Sequence, residues 1–257
     1  MLGRLFLINA VVLFVVMTLA WWLTRRRQRL DTVDTAWGLG FILVAWIAQA
    51  YQPSSHSLLI AILVTIWGLR LSYHLYTRNQ GRPDDRRYRE LSAKWQGSFW
   101  RRAYVSIFLL QGGLIWLISL PVMVATGPQL LSGNLQTLAG VWVWAVGFVF
   151  EALSDYQLSE YLKQPKRPKV LETGVWRYSR HPNYFGELAQ WWGIALIALQ
   201  SSYGWLGLLG PVTLTILIVF ISGIPPIERR RSKDPAYRAY QKRTNMLVPW
   251  PPKETAQ

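Results

Sequence analysis

Long apolar runs separated by short polar connections dominate the chain. About 20 apolar residues in helical conformation cross ~30 Å of hydrocarbon. Seven runs meet that pattern and predict seven spans: Leu5 to Thr24, Val33 to Tyr51, Ser57 to Thr77, Ala103 to Thr126, Thr137 to Leu158, Tyr184 to Gln200 and Tyr203 to Ile224. Between the fifth and sixth, Pro165 and Pro168 prevent a regular helix. After the seventh, Gly223-Ile224-Pro225-Pro226 marks a break. The expected fold is all-α: a polytopic integral membrane protein forming a single membrane domain over residues 1–257.

Charge orients this plan. Apart from Arg4, every Lys and Arg falls in alternate connections or at the helix ends that meet them: RRRQR, the segment Arg70 to Arg102, KQPKRPK through Arg180, and the tail. The connections YQPSSHS, GPQLLSGNLQ and QSSYG carry no Lys, Arg, Asp or Glu. The positive-inside rule then predicts an N-terminus outside and a C-terminus in the cytoplasm. The first run is expected to be a retained helix and not a secretory signal, because no small-residue cleavage pattern follows it.

Composition narrows the chemistry. The 257 residues are 51% hydrophobic, include 15 Trp and carry a formal charge of +15. The absence of Cys excludes disulfides and thiol nucleophiles, and three isolated His argue against a metal site. No zinc module or repeated basic-aromatic stripe accompanies the positive charge, so nucleic acid is not an expected partner. The expected partners are membrane lipids and a hydrophobic small molecule or lipid substrate; oligomeric state has no signature here. Trp21, Trp22, Trp191 and Trp192 suit the membrane interface, and Gly204, Gly207 and Gly210 suit close helix packing. WGLGF opens a span instead of joining a strand to a helix, which rules out a Rossmann site.

Ionisable groups inside a span cost at least ~2.5 kcal/mol on insertion scales, so they face a protein interior or a wet cavity. Those of this chain share a depth. Asp34 starts the second span; Arg70 and His74 end the third; Glu151 and Asp155 end the fifth; Asn183 and Glu187 begin the sixth, and Glu228 follows the seventh. The last three pairs are each four residues apart, hence on one helix face. Against a functional reading stands simple pairing of each carboxylate with the nearest interfacial base. Two basic connections share the same side: Asn79 to Asp85 has turn chemistry ahead of an expected interfacial helix Arg86 to Trp95, and KQPKRPK precedes the sixth span. Guanidinium and ammonium groups there suit the phosphates of a cofactor or of lipid head groups.

GVWRYSRHPNYFGE, with DTAWGLGF, RNQGRPDDRRY, SDYQLSEY and the tail ERRRSKDPAYRAYQKRTNMLVPW, resembles the uncharacterised bacterial branch of the steroid 5-alpha-reductase superfamily. Sterol reductases and, more distantly, isoprenylcysteine and phospholipid methyltransferases belong to the same superfamily. The resemblance implies a cofactor in a cytoplasm-facing cavity, a C-terminal cofactor-binding part over residues 137–250, and a multi-pass protein of the bacterial inner membrane. It implies that Asp155, Asn183 and Glu187 contact NADPH, that Asn79 and Arg82 approach its polar end, and that Arg82, Arg167 and Lys169 hold its phosphates. Arg180, His181 and Tyr184 belong to the same motif, with His181 expected to hold a phosphate or carboxylate. Arg229, Tyr237 and Tyr240 fall where the family closes over its cofactor.

The implied reaction is hydride transfer from NADPH to the beta carbon of a conjugated carbonyl lipid, whether steroid-like, isoprenoid or fatty enone. Charge grows on the carbonyl oxygen as hydride arrives, and a donor there lowers the barrier. Tyr73, Tyr76 and a protonated Asp34 are the candidates for that catalytic role. Arg-His-Pro is shared with the methyltransferases, which leaves S-adenosylmethionine-dependent methylation of a lipid or prenyl-cysteine carboxylate as the alternative. A non-catalytic lipid-binding or transport protein is the second alternative, although no internal repeat supports transport.

Overall fold

The computed structural model describes residues 1–28, 30, 32–80, 99–126 and 134–253. Arg82 and the interfacial helix expected over Arg86 to Trp95 lie outside the described residues. All regular structure among the described residues is helical. Five helices are long and apolar enough to cross a membrane, within Leu2–Arg27, Val33–Tyr51, Ser55–Asn79, Leu135–Lys163 and Gly204–Arg231, which makes this a multi-pass membrane protein. The chain forms two compact units, Met1–Ser132 with Ala198–Gly210, and Gly133–Ile197 with Pro211–Gln257.

In the first unit, α1 (Leu2–Arg27) buries Leu5, Asn9, Leu13 and Met17, one residue per turn. Its other apolar side chains, such as Leu7, Phe14 and Leu19, are exposed, as a lipid-facing surface requires. α2 (Thr32–Tyr51) and α3 (Ser55–Asn79) form a tight hairpin. A Cβ on Gly38 would lie 2.6 Å from the Gly68 carbonyl oxygen, and Ser72 Oγ donates to the Thr35 carbonyl at 3.0 Å. The reciprocal Ser54 and Ser57 bonds cap the start of α3.

The fourth expected span departs from a single helix. α4 runs from Phe99–Ala103 through a π-helical turn, Tyr104–Leu109, to Leu110–Ile118. It stops there because Pro121 has no N–H to continue the ladder and its ring clashes with the carbonyl four residues back. α5 (Leu120–Val124) resumes after Ser119. Three indole or hydroxyl contacts tie α4 to α1: Trp21 Nε1 to the Trp100 carbonyl at 3.0 Å, Thr18 with Tyr104 at 2.8 Å, and Trp116 Nε1 to the Phe6 carbonyl at 3.0 Å. Gly207 and Gly210 pack against Pro121 and Ile118 and serve the close packing expected of them.

In the second unit, α6 (Asn134–Lys163) and α7 (Pro182–Ala198) cross at two glycine pairs. A Cβ on Gly140 would sit 2.7 Å from the Gly193 carbonyl oxygen, and one on Gly186 would sit 2.5 Å from that of Gly147. The pairs recur every seven residues on both helices, so one small-residue seam runs along the contact and the backbones touch. Residues 164–173 are non-helical, as Pro165 and Pro168 dictate. α7 starts on Pro182, whose missing N–H costs nothing at a first helical position. It has 17 residues and, like α4, is absent from the five long apolar helices. α8 (Leu209–Ile216, with a π-helical end Leu217–Ile221) leads to the break at Gly223, then α9 (Ile224–Arg231) and α10 (Pro235–Arg243). Asp234 caps α10 by accepting from the Ala236 N–H at 2.9 Å.

Adding a methyl at the seam forces the helices apart, a loss of about 1–3 kcal/mol. Gly186→Ala is expected to lower thermal stability in detergent, whereas Gly113→Ala, whose Cβ meets nothing within 4 Å, leaves it unchanged or slightly raised.

Candidate functional site

The motif Arg177 to Glu187 enters α7 from a short 3₁₀ turn, Gly174–Arg177. Gly174 has φ +60°, which a side chain resists, and the Gln157 amide fills the space where a Cβ would stand. Gln157 Oε1 accepts from the Val175 N–H at 3.1 Å, and Trp176 Nε1 donates to the Ser154 carbonyl at 3.1 Å. The end of α6 thus sets where the motif begins. Its far side is tied to the tail. Arg180 N–H donates to the Asn245 carbonyl at 2.9 Å, Ser179 Oγ to that of Leu247 at 2.7 Å, and Trp250 N–H to that of Tyr178 at 3.0 Å. Tyr240 OH donates to the Trp176 and Ser179 carbonyls.

Glu228, on α9, is the centre of this clasp. Its carboxylate receives Arg180 bidentately, Nε to Oε1 and Nη2 to Oε2, both at 3.1 Å. His181 Nε2 lies 2.8 Å from Oε1, Tyr237 OH donates to Oε1 at 2.7 Å, and Gln241 Nε2 donates to Oε2 at 2.5 Å. The remaining guanidinium nitrogen of Arg180 donates to the Gln241 and Thr244 carbonyls. Both charges are largely withdrawn from water, with 11% and 16% of the side chains exposed for Arg180 and Glu228. Such a pair is stable only when its other bonding positions are filled, and here they are. Burial, reinforced by the bond to Glu228, pushes the Tyr237 phenol above its ordinary range; burial beside Tyr237 does the same to Tyr240.

Below the clasp lies a polar column between α6 and α7. Asn183 Nδ2 donates to Asp155 Oδ1 at 3.4 Å, with Asp155 buried and Asn183 half-buried. Glu187 follows Asn183 by one turn and is half-buried. Deeper still, Gln190 Nε2 donates to Glu151 Oε2 at 2.6 Å, both residues buried. The seam glycines allow these contacts, because only closely approaching backbones let short polar side chains meet. The site therefore joins a charged clasp to a buried amide and carboxylate set, able to read a ligand carrying both donors and acceptors.

The other residues singled out in the sequence divide into three groups. Tyr184 stacks on His181 with centroids 5.7 Å apart and belongs to the clasp. Arg167, Lys169 and Arg229 are exposed in the same unit, Arg167 donating to the Leu162 carbonyl at 3.2 Å. Asp34, Tyr73, Tyr76 and Asn79 belong to the first unit: Asp34 is buried and Asn79 half-buried, while Tyr73 and Tyr76 are 71% and 53% exposed. Sequence reasoning missed Ser179, Gln190 and Gln241, and it did not count Glu228 among the ligand-facing residues. One signal was present: Tyr237, Tyr240 and Gln241 share a face of α10.

Long apolar helices make this a multi-pass membrane protein, and the polar column and charged clasp of its second unit are the candidate ligand site. Residues 20–244 match the family described as a protein of unknown function (DUF1295), a steroid 5-alpha-reductase-like family, and the chain belongs to it. An uncharacterised protein of Schizosaccharomyces pombe is 26% identical over 288 residues, covering 95% of this chain and 79% of its own. That relative is fungal, and the match does not place the chain in a bacterial branch. No solved structure matches.

Removing one partner of the clasp leaves a charge without its complement. Glu228→Ala and Arg180→Ala are each expected to cost about 3 kcal/mol in unfolding experiments, and Tyr237→Phe about 1 kcal/mol. The phenol of Tyr237 is raised above its unfolded value of 10.0, so its contribution is complete below pH 10 and is lost as pH rises beyond it. Thermal stability measured between pH 9 and 11 should fall in the wild type and fall less in Tyr237→Phe.

Proposed function

We propose that the chain is an NADPH-dependent reductase that saturates the carbon–carbon double bond of a conjugated carbonyl lipid. The observation that carries this reading is the Asn183–Asp155 pair with Glu187 one turn on, Asn183 following His181 of the Glu228 clasp by two residues. Membership of a steroid 5-alpha-reductase-like family supports it. The residues present fit the group chemically: a carboxamide and two carboxylates offer donors and acceptors to amide and hydroxyl groups, and exposed Arg167 and Lys169 offer charge to phosphates. S-adenosylmethionine has no phosphate for those bases to meet, which favours the dinucleotide.

NADPH, when bound, supplies the hydride; the second hydrogen reaches the substrate as a proton. The chain's residues do the positioning. Asp155 orients Asn183, and the seam holds both at a fixed depth, which lowers the entropy cost of arranging the reacting groups. Arg180 and His181 act on the site indirectly, since Glu228 engages both, by fixing the entry to α7. Among the three candidate carbonyl donors, all of the first unit, Asp34 is the enclosed one.

A ligand bound by the native state alone raises its stability, by about 2.7 kcal/mol at 100 times Kd. NADPH is expected to stabilise the detergent-purified protein and S-adenosylmethionine to leave it unchanged. Asp155→Ala and Glu187→Ala should each abolish the NADPH response, read against each variant's own unliganded melting temperature, which Asp155→Ala lowers because it leaves the Asn183 amide without its acceptor. Stabilisation by S-adenosylmethionine alone would overturn the reductase assignment, and stabilisation by neither ligand would favour a non-catalytic lipid-binding protein.

A further inference from the structure

The tail beyond α10 is an irregular segment, bent at Met246, Leu247 and Val248 and held by its backbone. Its bonds to Tyr178, Ser179 and Arg180 of the motif engage the main chain at Asn245, Leu247 and Trp250. Exposure alternates along the tail. Met246, Val248 and Trp250 are exposed, by 37%, 58% and 65%, while Asn245, Leu247 and Pro249 are half-buried. An apolar stripe ending in an indole therefore faces away from the protein. Exposed apolar groups within the spans are explained by lipid, but this stripe lies past Arg231, where the last spanning helix ends.

Among the described residues the charge around the stripe is one-sided; Glu254, which follows Lys253, lies outside them. The two acids between Ile224 and Lys253 are both committed, Glu228 to the clasp and Asp234 to the cap of α10. Glu172 is paired with Arg243 at 2.7 Å. Exposed bases remain beside the stripe: the Arg177 carbonyl accepts from Thr244 Oγ1, Lys253 N–H donates to the Arg243 carbonyl, and Lys242 adjoins Arg243. Aliphatic and indole groups flanked by cations match the interface of a bilayer, where the apolar part sinks below head groups whose phosphates meet Arg and Lys.

We infer that Met246, Val248 and Trp250 are an interfacial anchor that docks on an anionic membrane leaflet, with Arg177, Lys242 and Lys253 meeting the lipid phosphates. The anchor bears directly on the motif, because the same backbone that carries the stripe also bonds Tyr178, Ser179 and Arg180. Engagement of the leaflet thus holds the tail over the entry to α7. The inference stands on the tail alone and is independent of which cofactor the site takes.

The chain has no Cys, so single cysteines can be read without background. Full-length Met246→Cys, Leu247→Cys and Val248→Cys, each carrying a polarity-sensitive fluorophore, would be compared in nanodiscs of phosphatidylcholine with and without phosphatidylglycerol. Labels at 246 and 248 should shift to the blue and lose emission to lipids brominated near the head group. The label at 247 should do neither. The shift should be larger with phosphatidylglycerol, shrink at high salt, and lose its lipid dependence in Arg177→Glu/Lys253→Glu. Equal responses at the three positions, or quenching by aqueous iodide as for free dye in both lipids, would overturn the anchor. A shift that follows the number of protein copies per disc would assign the stripe to self-association and overturn it as well. A shift equal in the two lipids would remove the anionic leaflet as the partner.

Discussion

The carboxylate of Glu228 is the constraint on which the C-terminal unit depends. A carboxylate withdrawn from water is tolerated only with its charge balanced and its lone pairs filled. Arg180, His181, Tyr237 and Gln241 fill them, and they come from two stretches separated by α7 and α8. One acid therefore decides where the motif, the break after α8 and the tail must meet. The bidentate fork of Arg180 adds direction: its third nitrogen reaches the carbonyls of Gln241 and Thr244, so the end of α10 is oriented along with α9. Lysine at this position would match the charge and lose that geometry.

The glycine seam does complementary work within the membrane. The hydrophobic effect offers helices no drive to associate in lipid, and close van der Waals contact takes its place. Backbones that touch at Gly147 and Gly186 leave room for the Glu151–Gln190 and Asp155–Asn183 pairs on either side. Polar groups that would be costly in hydrocarbon are thereby satisfied by one another. The tail bonds to Tyr178, Ser179 and Arg180 mostly through backbone carbonyls.

Legibility in the sequence followed the range of the interaction. Apolar runs located α1, α2, α3 and α6 to within a few residues, since length and composition alone select them. The fourth run hid its break, because Pro121 sits among apolar neighbours and a hydropathy pattern does not register a missing N–H. Four-residue spacings, which are local properties of a helix, marked Asp155, Asn183 and Glu187 as candidates, and the structure brings Asp155 and Asn183 together. The role of Arg180 was not legible. Its sequence context marked it as a cation near a cofactor, yet its partner lies 48 residues away, and many bases in this chain are equally placed to claim Glu228. Local spacing identifies a face; which distant acid the face meets is a matter of tertiary packing.

Hydrogen–deuterium exchange on the full-length protein in nanodiscs, with and without NADPH, tests the central claim most directly. Binding to the column beneath the clasp should slow exchange in three separated stretches together: the end of α6 around Asp155, the motif from Ser179 to Glu187, and the tail from Thr244 to Trp250. Protection by NADPH confined to other segments, or protection of these stretches by S-adenosylmethionine and not by NADPH, would contradict it.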